Sequence, residues 1–145
     1  YLPGNVAPVD EVRGTRITQV TIGTCTNGRL IDLERAAEVL RGRKVARGVR
    51  LYVTPATKNV YDAAMKSGLM QQFWDAGAVI NPAGCGPCDG MIGALTANDV
   101  CVATHNRNFR GRMGHRDAKI YLASPYVAAA AAVAGAIVDP AQVMA

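Results

Sequence analysis

The chain has 145 residues, half of them hydrophobic and 19% charged, which excludes a disordered polypeptide and is enough for one domain with a real core. Its formal charge is +5, but neither a long Lys/Arg block nor an aromatic ladder goes with that excess, so a nucleic-acid surface is disfavoured and small anions suit the pattern better. No apolar run reaches membrane-spanning length; the longest, Tyr126 to Ala134, is bounded by Pro125 and Gly135 as a short buried helix.

The opening YLPGNVAPVDEVRG is polar and loop-like, and residues 1–14 are expected to be a linker or an ordered tail. It shows no secretory pattern and no initiator Met, so a piece of a longer chain is expected. Arg16 to Ile22 (RITQVTI) alternates apolar and polar residues and predicts a strand. Leu30, Leu33, Ala36, Ala37 and Leu40 recur at helical spacing after the Asn27-Gly28 turn, and Gly42 ends that helix. Asp32 and Glu34 fall in its first turn, where the helix dipole favours them. Val49 to Val53 is a second strand. Pro55 and Thr57 open a helix to Lys66, and Leu69 to Ala76 is a short helix stopped by Gly77. Ala78 to Ile80 is a short strand, and Met91 to Leu95 is expected to form one or two helical turns. Val100 to Ala103 and Lys119 to Leu122 are strands, and Ser124-Pro125 caps an Ala-rich helix ending near Gly135.

Strands alternating with helices predict an α/β fold: one domain over residues 15–145, with a parallel sheet and helices on both faces. In such sheets functional loops follow the carboxyl ends of strands. That rule places Cys25, Pro55-Ala56, the 81–90 loop and the 104–112 loop at one end.

Four cysteines are present: Cys25, Cys85, Cys88 and Cys101. The context suits a cytoplasmic protein with reduced thiols, which favours metal or redox chemistry over disulfides. Cys85-Gly86-Pro87-Cys88 can hold a metal, hold an iron-sulfur cluster or exchange disulfides, because the intervening turn points both sulfurs the same way. A structural zinc site needs a second ligand pair, and none is present, since His105 and His115 lie ten residues apart. Adding Cys25 gives three thiolates, one short of the set that holds an electron-transfer 4Fe-4S cluster, which would leave one iron open as a Lewis acid. Cys101, within VCVAT, reads better as a small core residue.

The second constellation is HNRNFRGR, residues 105–112. Paired Arg side chains such as Arg107 and Arg112 can clamp a dicarboxylate, although a basic surface turn has the same composition. Asn106 and Asn108 can order the loop or hydrogen-bond cluster sulfurs. His105 is a site residue or a structural histidine, and His115 is expected to be exposed.

Together GTCTNGR, CGPC and NRNFRGR, in that order and spacing, resemble the large subunits of the aconitase superfamily, within it the 3-isopropylmalate dehydratase and homoaconitase branch. The likeness runs through DLERAAEVLRGRKVARGVRLYV and AMKSGLMQQFWDAGAVI to YLASPYVAAAAAVAGAIVDP, about residues 15 to 140. It implies a three-layer α/β/α domain, the third of a large subunit. It implies that Cys25, Cys85 and Cys88 ligate a 4Fe-4S cluster with one labile iron, that Asn27 and Asn106 lie near it, and that Arg107 and Arg112 contact substrate carboxylates. The reaction implied is reversible dehydration and rehydration of a hydroxy-di- or tricarboxylate. The partners implied are further large-subunit domains and a small swivelling subunit or domain that supplies the serine base. The sequence departs from the family pattern at Thr24, Asp89 and His105, where Ser, an apolar residue, and Ser or Tyr are usual. A non-catalytic metal- or RNA-binding domain of the same fold, and a thiol-redox domain using CGPC, are the competing readings. The redox reading makes Cys25 dispensable.

Overall fold

The computed structural model describes residues 2–145; of the expected linker or tail, Tyr1 lies outside the described residues. In chain order the elements are α1 (Val9–Val12), β1 (Gln19–Gly23), α2 (Thr24–Asn27), α3 (Leu30–Leu40), β2 (Arg50–Thr54), α4 (Lys58–Lys66), α5 (Leu69–Ala76) and β3 (Val79–Ile80). A 3-10 helix (Gly86–Asp89), β4 (Val100–Ala103), β5 (Lys119–Leu122), α6 (Pro125–Ala134) and α7 (Ala141–Met144) follow.

The five strands form one sheet in the order β3-β2-β1-β4-β5, and every pairing is parallel. β1 lies in the middle, with Gln19 beside both Arg50 and Cys101 and Thr21 beside both Tyr52 and Ala103. The path from β1 to β3 runs one way across the sheet, and the path from β3 through β4 to β5 runs the other way. Right-handed crossovers then require the two sets of connections to lie on opposite faces.

The residues follow that rule. Val20, Ile22, Leu51, Val53 and Val102 project into a core with Leu33, Ala36, Ala37 and Leu40 of α3, Phe73 of α5 and Ala128–Ala132 of α6. The alanine run fits because small side chains let α6 lie close to both α3 and the sheet. The opposite face takes Cys101, Ala103, Ile120, Leu95, Met113 and Ala118. The expected helices on both faces take this form: long helices cover one face, and the third layer is built from the 3-10 helix and the two long connections to β4 and β5.

Two local expectations change. The strand expected from Arg16 begins at Gln19, because residues 14–17 turn to pair with the chain leaving α6, with Ile17 N donating to Gly135 O and Ile137 N to Thr15 O. β1 itself is buried throughout, and Gln19 Nε2 donates to Gly93 O in the third layer at 2.9 Å. The helical turns expected over Met91 to Leu95 are absent. Gly90 and Gly93 take left-handed φ of 79° and 63°, which interrupts any helix, and Leu95 instead bridges to Gly114. At the amino end of the sheet, Asp99 ties the strands together. It accepts from Thr18 Oγ1 at 2.6 Å and Thr96 N at 2.7 Å, and pairs with Arg50 Nη2 at 3.1 Å.

Candidate metal centre

The sheet reverses its winding direction between β1 and β4, and crevices at such switch points are where ligands bind in open α/β sheets. The segments leaving those two strands carry Cys25 and the 104–112 loop. At the end of β1 the backbone turns abruptly. Gly23 has φ 99° and ψ −120°, and a Cβ there would stand 2.1 Å from Thr54 O, so only glycine fits. Thr24 follows at φ 75°, a left-handed conformation that is costly for a β-branched residue. It is fully buried, with no hydrogen-bond partner for Oγ1 among the described residues. This double turn lifts Cys25 out of the buried strand to an exposed position on α2. A cysteine between two threonines is therefore the first residue past the strand whose side chain is free to meet a ligand.

The second pair arrives from the end of β2 and β3. Asn81 is buried and donates from Nδ2 to Thr54 Oγ1 at 3.1 Å, and Gly84 N donates to Pro55 O at 3.2 Å, so the loop lies across the carboxyl end of β2. The 3-10 helix then eclipses side chains three apart, which places half-buried Cys85 and buried Cys88 on one side. α2 packs against this 3-10 helix. The Cys85 thiol is pushed up to about 11 by burial, then by its neighbours Cys88, Asp89 and Cys25. Asp89 turns its carboxylate to its own loop, Oδ1 accepting from Met91 N at 3.1 Å.

The 104–112 loop closes the site from the β4 side. Gly23 N donates to Thr104 Oγ1 at 2.8 Å, and Asn27 Nδ2 donates to Thr104 O at 2.5 Å and to Asn106 Oδ1 at 2.6 Å. Arg112 reaches back over the third layer: its Nη2 donates to Cys88 Sγ at 3.4 Å, and its guanidinium lies 5.6 Å from the Phe109 ring centre. Its Nε is buried without a hydrogen-bond partner among the described residues. The bond to Cys88 raises the guanidinium pKa further.

Arg107 stands apart from Arg112. It is exposed and, with Asn106, lines a cleft of about 930 Å³ beneath the arm that carries Leu2, Val6 and Val9. No cysteine lines that cleft. His105 is buried, with Nε2 3.2 Å from Met113 Sδ. Burial and the Arg112 cation push it down to about 4, which favours the neutral imidazole. His115 is exposed, its Nδ1 accepting from Asp117 N. Cys101 is fully buried in β4, 3.9 Å from Thr21 Oγ1, its thiol pushed up to about 12 by burial.

Of the residues singled out in the sequence, Cys25, Cys85, Cys88, Asn27, Asn106 and Arg112 lie on connected segments at one end of the sheet, and Arg107 lies on the same loop as Arg112 but lines the separate cleft. Sequence reasoning missed Gly23 and Thr24 as the turn that presents Cys25, and Asn81 as the peg under the CGPC loop. The glycine before the threonine was the available signal for the first. Nothing local marked the second.

By chemistry the donors present fit an iron-sulfur cluster: three free thiols, Cys25, Cys85 and Cys88, on α2 and on the 3-10 helix that packs against it. The buried, unpartnered donors on Arg112 and Thr24 are what an anionic, sulfur-rich group would satisfy.

Residues 3–135 match the aconitase family (aconitate hydratase). The chain belongs to the aconitase family. It is 56% identical over 141 residues to the 3-isopropylmalate dehydratase large subunit of Nitratidesulfovibrio vulgaris (strain Miyazaki F), covering 97% of this chain and 34% of that protein. It is 58% identical over 137 residues to the homoaconitase large subunit of Thermus thermophilus, covering 94% of this chain and 33% of the relative. It is 56% identical over 137 residues to the 3-isopropylmalate dehydratase large subunit 2 of Archaeoglobus fulgidus, with 94% and 33% covered. This aconitase-family chain therefore spans about a third of the length of the relatives it matches. Among its described residues no helix is long and apolar enough to cross a membrane.

Proposed function

We propose that this chain is the cluster-binding domain of a hydro-lyase large subunit that isomerises a hydroxy-di- or tricarboxylate by dehydration and rehydration. Residues 15–145 would be its third α/β domain, and residues 1–14 a linker or tail. The observation that carries this reading is the grouping of Cys25, Cys85 and Cys88 at the switch point of the sheet, with Arg112 and the Asn27–Asn106 pair around them. Cys25, Cys85 and Cys88 would each hold one iron of a 4Fe-4S cluster. When bound, such a cluster supplies an iron without a cysteine ligand, a Lewis acid for a substrate hydroxyl.

The chain's own residues do the rest of what this domain contributes. Asn27 and Asn106 hold the two switch-point loops in register. Arg107, exposed on its loop, and Arg112, with donors that Cys88 does not use, would take substrate carboxylates. The base that removes the α-proton and the rest of the substrate pocket come from the other large-subunit domains and a small swivelling subunit or domain. Relatives named large subunits support that division, as does their greater length. The names of the relatives make 3-isopropylmalate and homoaconitate the leading substrates, in a cytoplasmic enzyme.

Anaerobic reconstitution with iron and sulfide, read by visible absorption and iron counting, tests the reading. About four irons per chain, lost in Cys25→Ala, are expected. Uptake indifferent to Cys25 overturns the cluster assignment and favours a CGPC redox site. The chain alone is expected to show no hydratase turnover, and measurable turnover would sink the division of labour.

A further inference from the structure

The carboxyl end of β2 carries neither a cysteine nor an arginine, yet both cysteine-bearing segments rest on it. Thr54 is the last residue of that strand and is fully buried. In the sheet it stands beside Gly23, which opens the turn to Cys25. Its carbonyl oxygen meets that turn at both ends: a Cβ at Gly23 would lie 2.1 Å from it, and one at Gly28 2.6 Å. Ala56 N closes the same contact by donating to Gly28 O at 2.9 Å. The Thr54 side chain meets the other segment. Its Oγ1 accepts from buried Asn81 at 3.1 Å. A Cβ at Gly86, the residue after Cys85, would lie 3.1 Å from Thr54 Oγ1 and 3.3 Å from Cγ2.

We propose that Thr54 is a positioning residue for the metal centre, setting how far Cys25 stands from Cys85 and Cys88. Its carbonyl carries the first turn and its side chain carries the second. This deepens the cluster reading above and rests on it. A cluster takes its ligands at fixed separations, and such constellations need supporting residues that hold them to within about 0.5 Å. Thr54 suits that task. Its backbone is fixed by pairing with β1, and the adjoining Val53 pairs with β3. Its β-branched side chain is stiff at χ1. The residues packed on it are Gly23, Gly28 and Gly86, so no flexible side chain lies between Thr54 and either turn. Hydroxyl and shape have separate tasks: the hydroxyl holds Asn81, and the shape of the side chain supports Gly86.

The test uses the complete large subunit with its small-subunit partner. In the metal-free assembly, bifunctional thiol reagents of graded length join Cys25 to Cys85 or Cys88, read by peptide mapping. After anaerobic reconstitution, iron loss is read by transfer to a ferrous chelator. Thr54→Ile lengthens the side chain under Gly86. It is expected to shift the joining to a longer reagent and to speed iron loss about tenfold, the effect of disturbing a ligand's outer support. Thr54→Val keeps the shape and removes the hydroxyl. It is expected to keep wild-type joining and iron loss while lowering the urea midpoint, because Asn81 loses its acceptor. Phe73→Leu, a core change in α5, is expected to lower the urea midpoint and leave joining and iron loss unchanged. Wild-type joining and iron loss in Thr54→Ile overturn the proposal. The same shifts in Phe73→Leu overturn it too, since the effect is then one of stability alone. If Thr54→Ile does not fold, Thr54→Ser, which removes the methyl against Gly86, takes its place, and unchanged joining and iron loss there overturn the proposal. If the wild-type enzyme forms no cluster, the cluster reading fails and this inference falls with it. A normal wild-type cluster with no Thr54 effect removes this inference alone.

Discussion

Asn27 and Asn106 meet side chain to side chain across 79 positions of sequence, the Asn27 Nδ2 donating to Asn106 Oδ1 at 2.6 Å. The same amide donates to Thr104 O, so one side chain joins the loop that carries Cys25 to the loop that carries Arg112. Asn27→Ala removes both bonds and is expected to lower stability by about 1–2 kcal/mol, measured by urea unfolding. It should also weaken iron retention, since the two loops then move independently. Unchanged retention would show that the sheet alone holds the loops in place.

The turn that presents Cys25 allows no side chain at its first residue. Gly23→Ala would push a Cβ to 2.1 Å from Thr54 O at a φ of 99°, and relief requires β1 and β2 to separate. A loss of at least about 3 kcal/mol is expected, with thermal unfolding as the measurement. Wild-type stability in this variant would mean that the turn can re-form another way.

The cysteines are expected to divide by role. Cys25→Ala, Cys85→Ala and Cys88→Ala should each abolish stable iron uptake. Cys25→Ala should leave folding stability unchanged, because that thiol is exposed. Cys101→Ala should do the reverse: iron content is retained, and a small core void costs about 1 kcal/mol. Loss of iron in Cys101→Ala would return that thiol to the ligand set.

Two buried groups set the acid stability. His105 stays neutral down to about 4 in the fold, against an ordinary 6.5, so the unfolded chain takes up its proton first as pH falls. Stability is therefore expected to decline from about pH 6.5 to about pH 4, and His105→Leu should flatten that stretch. Burial pushes Asp99 up, but bonds from Thr18 and Thr96, with Arg50 alongside, outweigh it and leave it near 2 against an ordinary 3.8. Its stabilisation is present above the ordinary value and is lost as pH falls from about 4 to about 2. Asp99→Asn should remove that second decline. Urea midpoints measured from pH 8 to pH 2 separate the two, and identical profiles in wild type and both variants would refute both assignments.

Much of this was legible in the sequence, and the limits have physical causes. Helical spacing from Leu30 to Leu40 and the strand-like run Val49 to Val53 were local signals, and both elements formed close to where they were expected. RITQVTI was legible as a strand, and its alternation reports two different faces that are both buried: one against helices, one against a layer of loops. Met91 to Leu95 had helical composition, but Gly90 and Gly93 outvoted it. The direction of Arg112 could not be read at all. It depends on the 104–112 loop folding back onto the CGPC turn, a contact between segments joined only through the finished sheet.

The parallel order β3-β2-β1-β4-β5 has a consequence for when the metal can arrive. Cys25 precedes β2, the CGPC turn follows β3, and Arg112 follows β4, so the three segments become neighbours only once strands distant in sequence have paired. Such long-range pairing is slow, because chain entropy is lost before contacts repay it. Iron cannot serve as the nucleus here, as zinc does in a small finger, because no short stretch of this chain gathers the ligands. On the cluster reading proposed above, maturation would be a late event on an already folded scaffold, and iron starvation should leave behind folded, empty protein rather than debris for proteases.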